Sequence, residues 1–341
     1  MPHDGPLPDE PPHGAPTNLT DLLARWRVPA PDAVRPAGPG TNNSVHVVEA
    51  GGRRYVVRGY QNQSADRVAA EHRLLTGLAD VGLSFAVPRP LPTRDGATFV
   101  PTPSGPVALF GYLPGRPAGR TTRDLALAGE VLAYLDLALA ELPAGLAPAD
   151  WRHPLSEVHP AVPDLGELAA ELARVLPGEQ GDDPGWLHAA AERVDAMRVR
   201  WWETLPVQVV HNDFALGNLL VHDDGRPSAV LDFEFAGLDL RVADLVGAVS
   251  MATAEWQPSD RATDVLCRAY LSRLPLSTAE RAAFPDLLRL RALESLVWRA
   301  GRWRQGQARL DEVRDRLAGA RQLDRWLEQH GPTLVDDLTA L

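Results

Sequence analysis

The chain has no lysine. Every one of its 34 basic residues is arginine, so chemistry that needs a lysine amine, such as a Schiff base or a pyridoxal linkage, is excluded. Its single cysteine, Cys267, forbids an internal disulfide and any multi-cysteine zinc or iron–sulfur site. Set among Asp264, Leu266 and Tyr270, that thiol reads as a small packed hydrophobe. No apolar run reaches the roughly eighteen residues that a membrane span requires. Even the most apolar stretch, Leu125 to Leu142, is broken by Glu130, Asp136 and Glu141, and no membrane partner is expected. An excess of positive charge is missing too: 34 basic residues stand against 45 acidic ones, net −11, which argues against a nucleic-acid partner.

What is present is a chain of 341 residues, 45% hydrophobic and 23% charged, enough for one large core or two moderate ones. Met1 to Pro16 carries six prolines and three acidic residues with no apolar stretch. A loose tail over 1–16 is expected, not a signal peptide, in a cytoplasmic protein. Thr17 is placed to cap a short helix with Leu19, Leu22, Leu23 and Trp26 on its apolar face. A turn-rich run from Pro36 to Ser44 follows. The β-branched runs at 45–48 and 55–58, joined by Gly51-Gly52, predict a hairpin. A helix is predicted over 66–79, a second strand pair at 97–101 and 106–113, and a helix over 122–142. Residues 143–187 are rich in Pro, Gly and Asp and carry no clear pattern. Further on, Val207–Val210 reads as a strand, 219–221 and 228–231 as a hairpin, and helices fill the rest to about Gln329. The expected organisation is an N-terminal lobe over 17–113 and a larger, mainly helical lobe over 114–341.

The informative motif lies between two of those strands. His211, Asp213 and Asn218 form the pattern H-x-D-x-x-x-x-N, and Asp232 ends the hairpin that follows. A carboxylate at the head of such a loop accepts a proton from a hydroxyl. An amide oxygen and a carboxylate brought together by a hairpin suit Mg²⁺, a hard cation that prefers oxygen. Together these are the parts that phosphoryl transfer requires: one group to orient the nucleophile and two to hold the metal on the phosphates. Glu234 is a further candidate metal ligand. In the N-terminal lobe Arg58 ends a strand and Glu71 sits on the next helix, a spacing that suits a phosphate-binding ion pair. The turn that ends at Ser44 would lie over the phosphates. The ordinary alternatives are turn-capping roles for Asp213, Asn218 and Asp232 and solvated positions for Arg58 and Glu71. His211 reads as a packed structural histidine, and His153 and His159 as two unrelated surface histidines.

On these residues the chain resembles the aminoglycoside phosphotransferase superfamily of kinase-like enzymes, which includes choline, homoserine and antibiotic kinases. The resemblance runs from about Pro36 to Ala320 and is strongest over 207–250. It implies a bilobal α+β fold, with a small antiparallel-sheet lobe and a larger helical one. Carried over by position, it makes Asp213 the catalytic base, Asn218 and Asp232 the metal ligands and Arg58–Glu71 the phosphate clamp. It makes Phe110 to Leu113 the segment that receives the purine of ATP or GTP, through the Gly111 carbonyl and the Leu113 amide. Asp244 corresponds to a structural aspartate after the metal loop. The sequence departs from the pattern at Asn212, where glycine is common, at Asp136, where histidine is usual, at Glu234, where aspartate is frequent, and at Arg58, where lysine is frequent. The implied activity is transfer of a γ-phosphate to a hydroxyl of a small molecule. An antibiotic or related natural product ranks first as acceptor and a homoserine- or choline-type metabolite second. A catalytically inactive kinase-like binding protein is the rival from another class. Glu294, Asp239 and Glu255 are candidates to face a cationic acceptor, and of Trp298 and Trp303 one is expected to line its pocket.

Overall fold

The computed structural model describes residues 19–37, 43–176, 184–252 and 261–341. The tail over 1–16, the Thr17 cap, most of the turn before Ser44, and Glu255 lie outside the described residues. The chain divides into two compact units, Met1–Thr76 with Pro88–Leu113, and Gly77–Val87 with Pro114–Leu341.

In the first unit α1 (Leu19–Leu23) and β1 (Ala33–Pro36) precede the expected hairpin of β2 (Asn43–Ala50) and β3 (Arg53–Tyr60). Gly51 and Gly52 both take positive φ, 56° and 72°, the backbone that a tight two-residue hairpin turn demands and that side chains resist. Helix α2 (Ala65–Ala79) follows, then β4 (Val100–Thr102) and β5 (Gly105–Gly111). The sheet is antiparallel throughout, in the order β1-β2-β3-β5-β4. Strand β1, an edge strand ending in proline, was not legible in the turn-rich run around Pro36. One face of the sheet buries Val48, Val57, Val107 and Leu109 with Leu23 and Trp26, and the Trp26 indole N–H donates to the Leu91 carbonyl at 2.9 Å.

A polar cluster sits beside this core. His72 of α2 is 1% exposed. Its Nδ1 lies 2.8 Å from the Thr98 hydroxyl and its Nε2 3.1 Å from the Tyr60 hydroxyl. Tyr60, Phe99 and Phe110 surround the imidazole edge-on. Burial first, and then the charge of Arg58, lower its pKa from 6.5 to about 4.

In the second unit β6 (Arg116–Pro117) leads into α3 (Thr122–Ala140), whose first turn is capped by the Thr121 hydroxyl accepting from the Asp124 amide. Residues 143–176 form two short 3₁₀ turns and α4 (Leu165–Val175), and α5 (Pro184–Thr204) begins after the undescribed 177–183. Then come β7 (Val207–Val210), β8 (Leu219–Val221), β9 (Pro227–Val230) and β10 (Gly237–Leu240). Strand β7 pairs with β10, and β6-β8-β9 form a three-stranded sheet. Helices α6 (Val242–Ala252), α7 (Arg261–Leu271), α8 (Thr278–Arg304) and α9 (Leu310–Ala340) complete the unit. The last helix therefore continues well past Gln329. Asp324 of α9 ties three helices, accepting from Arg193 and Trp186 of α5 and Arg289 of α8 at 2.8–3.0 Å. Cys267 is fully buried, which pushes its thiol up to about 12. His153 is half-buried, and His159 is buried and not a surface residue. Its ring stands edge-on to Trp298 at 5.2 Å and fills the space where a Gly301 side chain would be.

The buried imidazole of His72 gives the first unit a pH dependence of definite sign. The folded chain holds that proton less tightly than the unfolded chain, so the stability present above pH 6.5 is lost as pH falls toward 4. The full span is worth about 3 kcal/mol. Urea unfolding at several pH values should show this acid-side loss in the wild type and a shallower one in His72→Phe. Equal slopes would disprove it.

Candidate active site

Strand β7 delivers the H-x-D motif. Val209 and Val210 are buried, and pairing of Val210 with Gly237 fixes where the strand ends. The chain then meets Asp244 of α6, whose carboxylate accepts the backbone N–H groups of both His211 and Asn212 at 2.6 Å. Two short bonds to one carboxylate are charge-assisted and set the direction of the loop. His211 is fully buried, accepting the Asp213 amide at Nδ1 (3.2 Å) and lying 2.9 Å from the Leu231 carbonyl at Nε2. An Nδ1 that accepts requires the proton on Nε2, so the ring is a neutral strut between the two loops of the site, and burial lowers its pKa. Asn212 turns the chain in the left-handed region, φ 63°, which explains why this position favours glycine and tolerates asparagine.

Asp213 comes next, its side chain 28% exposed. Burial in the loop, together with the charges of Asp232, Glu234 and Asp244, raises its pKa to about 7 against the opposing pull of Arg291. Arg291 of α8 lies 4.0 Å from the Asp213 carboxylate and donates to the Asn212 carbonyl at 2.7 Å. Asn218 donates its amide N–H to the Asp213 carbonyl at 2.9 Å, which leaves Oδ1 as the atom it presents. The Leu231 amide donates to the Asn218 carbonyl at 2.8 Å, so Asp232, at φ 65°, follows directly beside Asn218. An amide oxygen next to a carboxylate fits a hard divalent cation. Among the described residues no three His, Cys, Asp or Glu side chains are grouped for a metal. The cation reading therefore rests on Asn218 and Asp232. Glu234 is buried nearby but does not complete such a group.

Beyond Asp213 the wall alternates in charge. Glu294 of α8 lies 3.8 Å from Arg291 and 3.9 Å from Arg198 of α5. Asp239 of β10 is raised well above the usual carboxylate range by burial and by the charge of Glu294. With its amide oriented to satisfy its neighbours, Asn212 donates to Asp239 at 3.3 Å and accepts from the Trp151 indole at 3.1 Å. Trp151, Phe235 and Trp298 form a continuous run of ring contacts beside this wall. Of the two tryptophans considered, Trp298 is the one in this run. Arg291, Arg198 and Trp151 were not singled out by motif or spacing. Only their placement on helix faces and in a loop that the fold brings together reveals them.

In the first unit Arg58 and Glu71 do pair, with Nη1 3.6 Å from Oε1, and both side chains are largely buried. The Arg58 guanidinium also lies over the Tyr60 ring at 4.9 Å, and the Tyr60 hydroxyl is 3.4 Å from Glu71. Ser44 faces Gly59 across the β2–β3 pair, its Oγ against the glycine's open side. Phe110 turns its ring into the core against His72. Gly111 ends β5 opposite Tyr55, and Leu113 ends the unit.

The positive φ of Asn212 makes a simple prediction. Asn212→Gly should unfold within about 0.5 kcal/mol of the wild type, whereas β-branched Asn212→Val should cost about 1–2 kcal/mol. Thermal denaturation of the two variants checks this, and equal stabilities would contradict the backbone assignment.

With this geometry in view, comparison with known proteins is informative. Residues 33–281 match the family model APH, described as "Phosphotransferase enzyme family". A homoserine kinase from Caulobacter vibrioides is 29% identical over 307 residues, covering 84% of this chain and 89% of that protein. Among solved structures, a microcompartment-associated aminopropanol kinase superposes with a TM-score of 0.65 at 21% identity, covering 93% of this chain and 98% of that one. The amicoumacin kinase hAmiN, in complex with AMP-PNP, Ca²⁺ and Ami, superposes with a TM-score of 0.68 at 14% identity, covering 90% and 92%. The antiparallel sheet of the first unit and the helical second unit are those of the kinase-like fold. Matched over most of its length, the chain belongs to the APH phosphotransferase enzyme family and is a small-molecule phosphotransferase.

Proposed function

We propose that the protein transfers the γ-phosphate of ATP or GTP, with Mg²⁺, to the hydroxyl of a small amino alcohol of the homoserine type. The observation that carries the acceptor class is the alternating wall beside Asp213: Arg291 and Arg198 within 4 Å of Glu294, with Asp239 behind it. A molecule bearing both an ammonium and a carboxylate matches neighbouring acid and guanidinium groups. A polycationic antibiotic gains from the acids and is repelled by the arginines. The homoserine kinase at 29% identity supports the same class, ahead of the antibiotic acceptor that composition alone favours.

In this reading Asp213 orients the acceptor hydroxyl and takes its proton as the oxygen attacks phosphorus. Asn218 and Asp232 would hold Mg²⁺, whose charge offsets that of the phosphates and favours the ionised form of Asp213. Arg58, braced by Glu71, would bind nucleotide phosphate, and the Gly111 carbonyl and Leu113 amide the purine edge. Glu294 would receive the acceptor's ammonium and Arg291 its carboxylate.

Asp213→Asn should lower kcat at least about 100-fold while nucleotide affinity changes less than about threefold. A coupled assay and nucleotide titration test this, and turnover near the wild-type level would remove Asp213 as the base. For the acceptor, a thermal-shift panel should show stabilisation by L-homoserine or a related amino alcohol in the presence of nucleotide. Glu294→Gln should then raise the acceptor KM about tenfold, the equivalent of about 1.4 kcal/mol, with the nucleotide KM unchanged. Stabilisation by aminoglycosides alone would overturn the amino-alcohol assignment in favour of the antibiotic one.

A further inference from the structure

Behind the catalytic loop lies a second acid that the reaction does not use. Asp136, in the middle of α3, is 0% exposed, and the Tyr270 hydroxyl of α7 donates to its Oδ2 at 2.6 Å. Its Oδ1 is buried and accepts no hydrogen bond. The carboxyl lies within hydrogen-bond reach of Asp244. Two buried carboxyl groups in contact strongly disfavour double ionisation, because their mutual repulsion is weakly screened in a dry interior. The question is which of them holds the proton.

The hydrogen bonds answer it. Asp244 accepts two backbone N–H groups at 2.6 Å, one on each oxygen, which an ionised carboxylate does best and which leaves a lone pair on each oxygen for one more donor. Asp136 has one oxygen served by Tyr270 and one with nothing to accept, which is where a proton would sit. The nearby cation does not change this. Arg241, just before α6, gives Nε and Nη2 to Glu280 of α8 at 2.8 and 2.6 Å and a further Nη2 contact to the Pro275 carbonyl at 3.2 Å, with no bond to Asp136. From β7 the only polar contact is Gln208, which donates to the Asp136 backbone carbonyl at 2.9 Å.

We propose that Asp136 is a positioning residue: a carboxylic acid kept neutral, whose O–H donates to Asp244 and so steadies the group that holds the His211 and Asn212 amides. Burial, followed by the charge of Asp244, acts in the same direction, pushing the Asp136 carboxyl well above its ordinary 3.8. The consequence for stability has a fixed sign. An acid that binds its proton more tightly in the folded chain contributes stability that is complete below the unfolded value and is lost as pH rises toward the folded one.

Asparagine tests this directly, because its N–H replaces the acid's O–H toward Asp244 while its oxygen still accepts from Tyr270. Asp136→Asn should unfold at a higher temperature than the wild type at neutral pH. The gap should widen from about pH 5 to about pH 8, by about 2–4 °C for each unit of raised pKa traversed. The infrared difference spectrum between wild type and Asp136→Asn at neutral pH should contain the carbonyl stretch of one protonated carboxylic acid, over and above any band from Asp213 and Asp239 that the two proteins share. Phosphotransfer by Asp136→Asn should stay within about threefold of wild type, less than about 1 kcal/mol. Asp136→Leu, which offers Asp244 no donor, should lose both stability and turnover. An Asp136→Asn protein that is less stable than wild type, or does not fold, would overturn the proposal, as would a difference spectrum in which the acid band is missing. All these readouts except turnover are independent of the acceptor, so a wrong acceptor class would leave them intact.

Discussion

The carboxylate of Asp244 grips two successive backbone N–H groups, and the placement of every side chain from His211 to Asn218 depends on that grip. The strand that enters the loop supplies only direction. Without an acceptor for its two amides, the chain would leave two buried donors unsatisfied, at a cost comparable to the hydrogen bonds themselves. The acceptor is supported in its turn. Arg241, three residues earlier, is clamped by Glu280, and Glu280 closes the capping box of Ser277 that starts α8. That helix then carries Arg291 and Glu294 to the wall facing Asp213. The scaffold of the Asp213 loop and the charged wall beside it therefore share one chain of charge-assisted bonds.

The absence of lysine shapes how such links are made. Each guanidinium offers several donors in a plane, so a single arginine joins more than one element. Arg291 bridges a backbone carbonyl and two carboxylates, and Asp324 gathers arginines from two helices and an indole. Two acids that no arginine bridges, Asp136 and Asp239, are both raised well above the ordinary carboxylate range.

Much of the architecture was legible because it depends on local signals. The Gly51-Gly52 turn, the apolar stripe of α2 and the spacing of His211, Asp213 and Asn218 are written in neighbouring residues, and the structure follows them closely. What stayed hidden depends on distant partners. Strand β10 has only four residues, two of them polar or glycine, and exists because β7 pairs with it. His72 lay unnoticed on a helix read for its leucines, since its partners Thr98 and Tyr60 come from elsewhere in the first unit. His159 looked like a loop histidine because nothing nearby in sequence announces the groove over Gly301. Asp136 was visible as a departure from the resemblance, but its meaning required Tyr270 and Asp244 beside it.

The left-handed backbone of Asp232 has its own consequence for how this position can vary. Aspartate and asparagine tolerate that conformation because a short polar side chain bonds locally, and glycine tolerates it for want of a β-carbon. Glutamate has neither advantage. In a substitution series the homologous carboxylate is therefore the confounded replacement, paying in main-chain geometry before its charge is placed, while the isosteric amide isolates the charge. The same steric rule favours glycine, asparagine and aspartate at this position, and of these only aspartate is anionic.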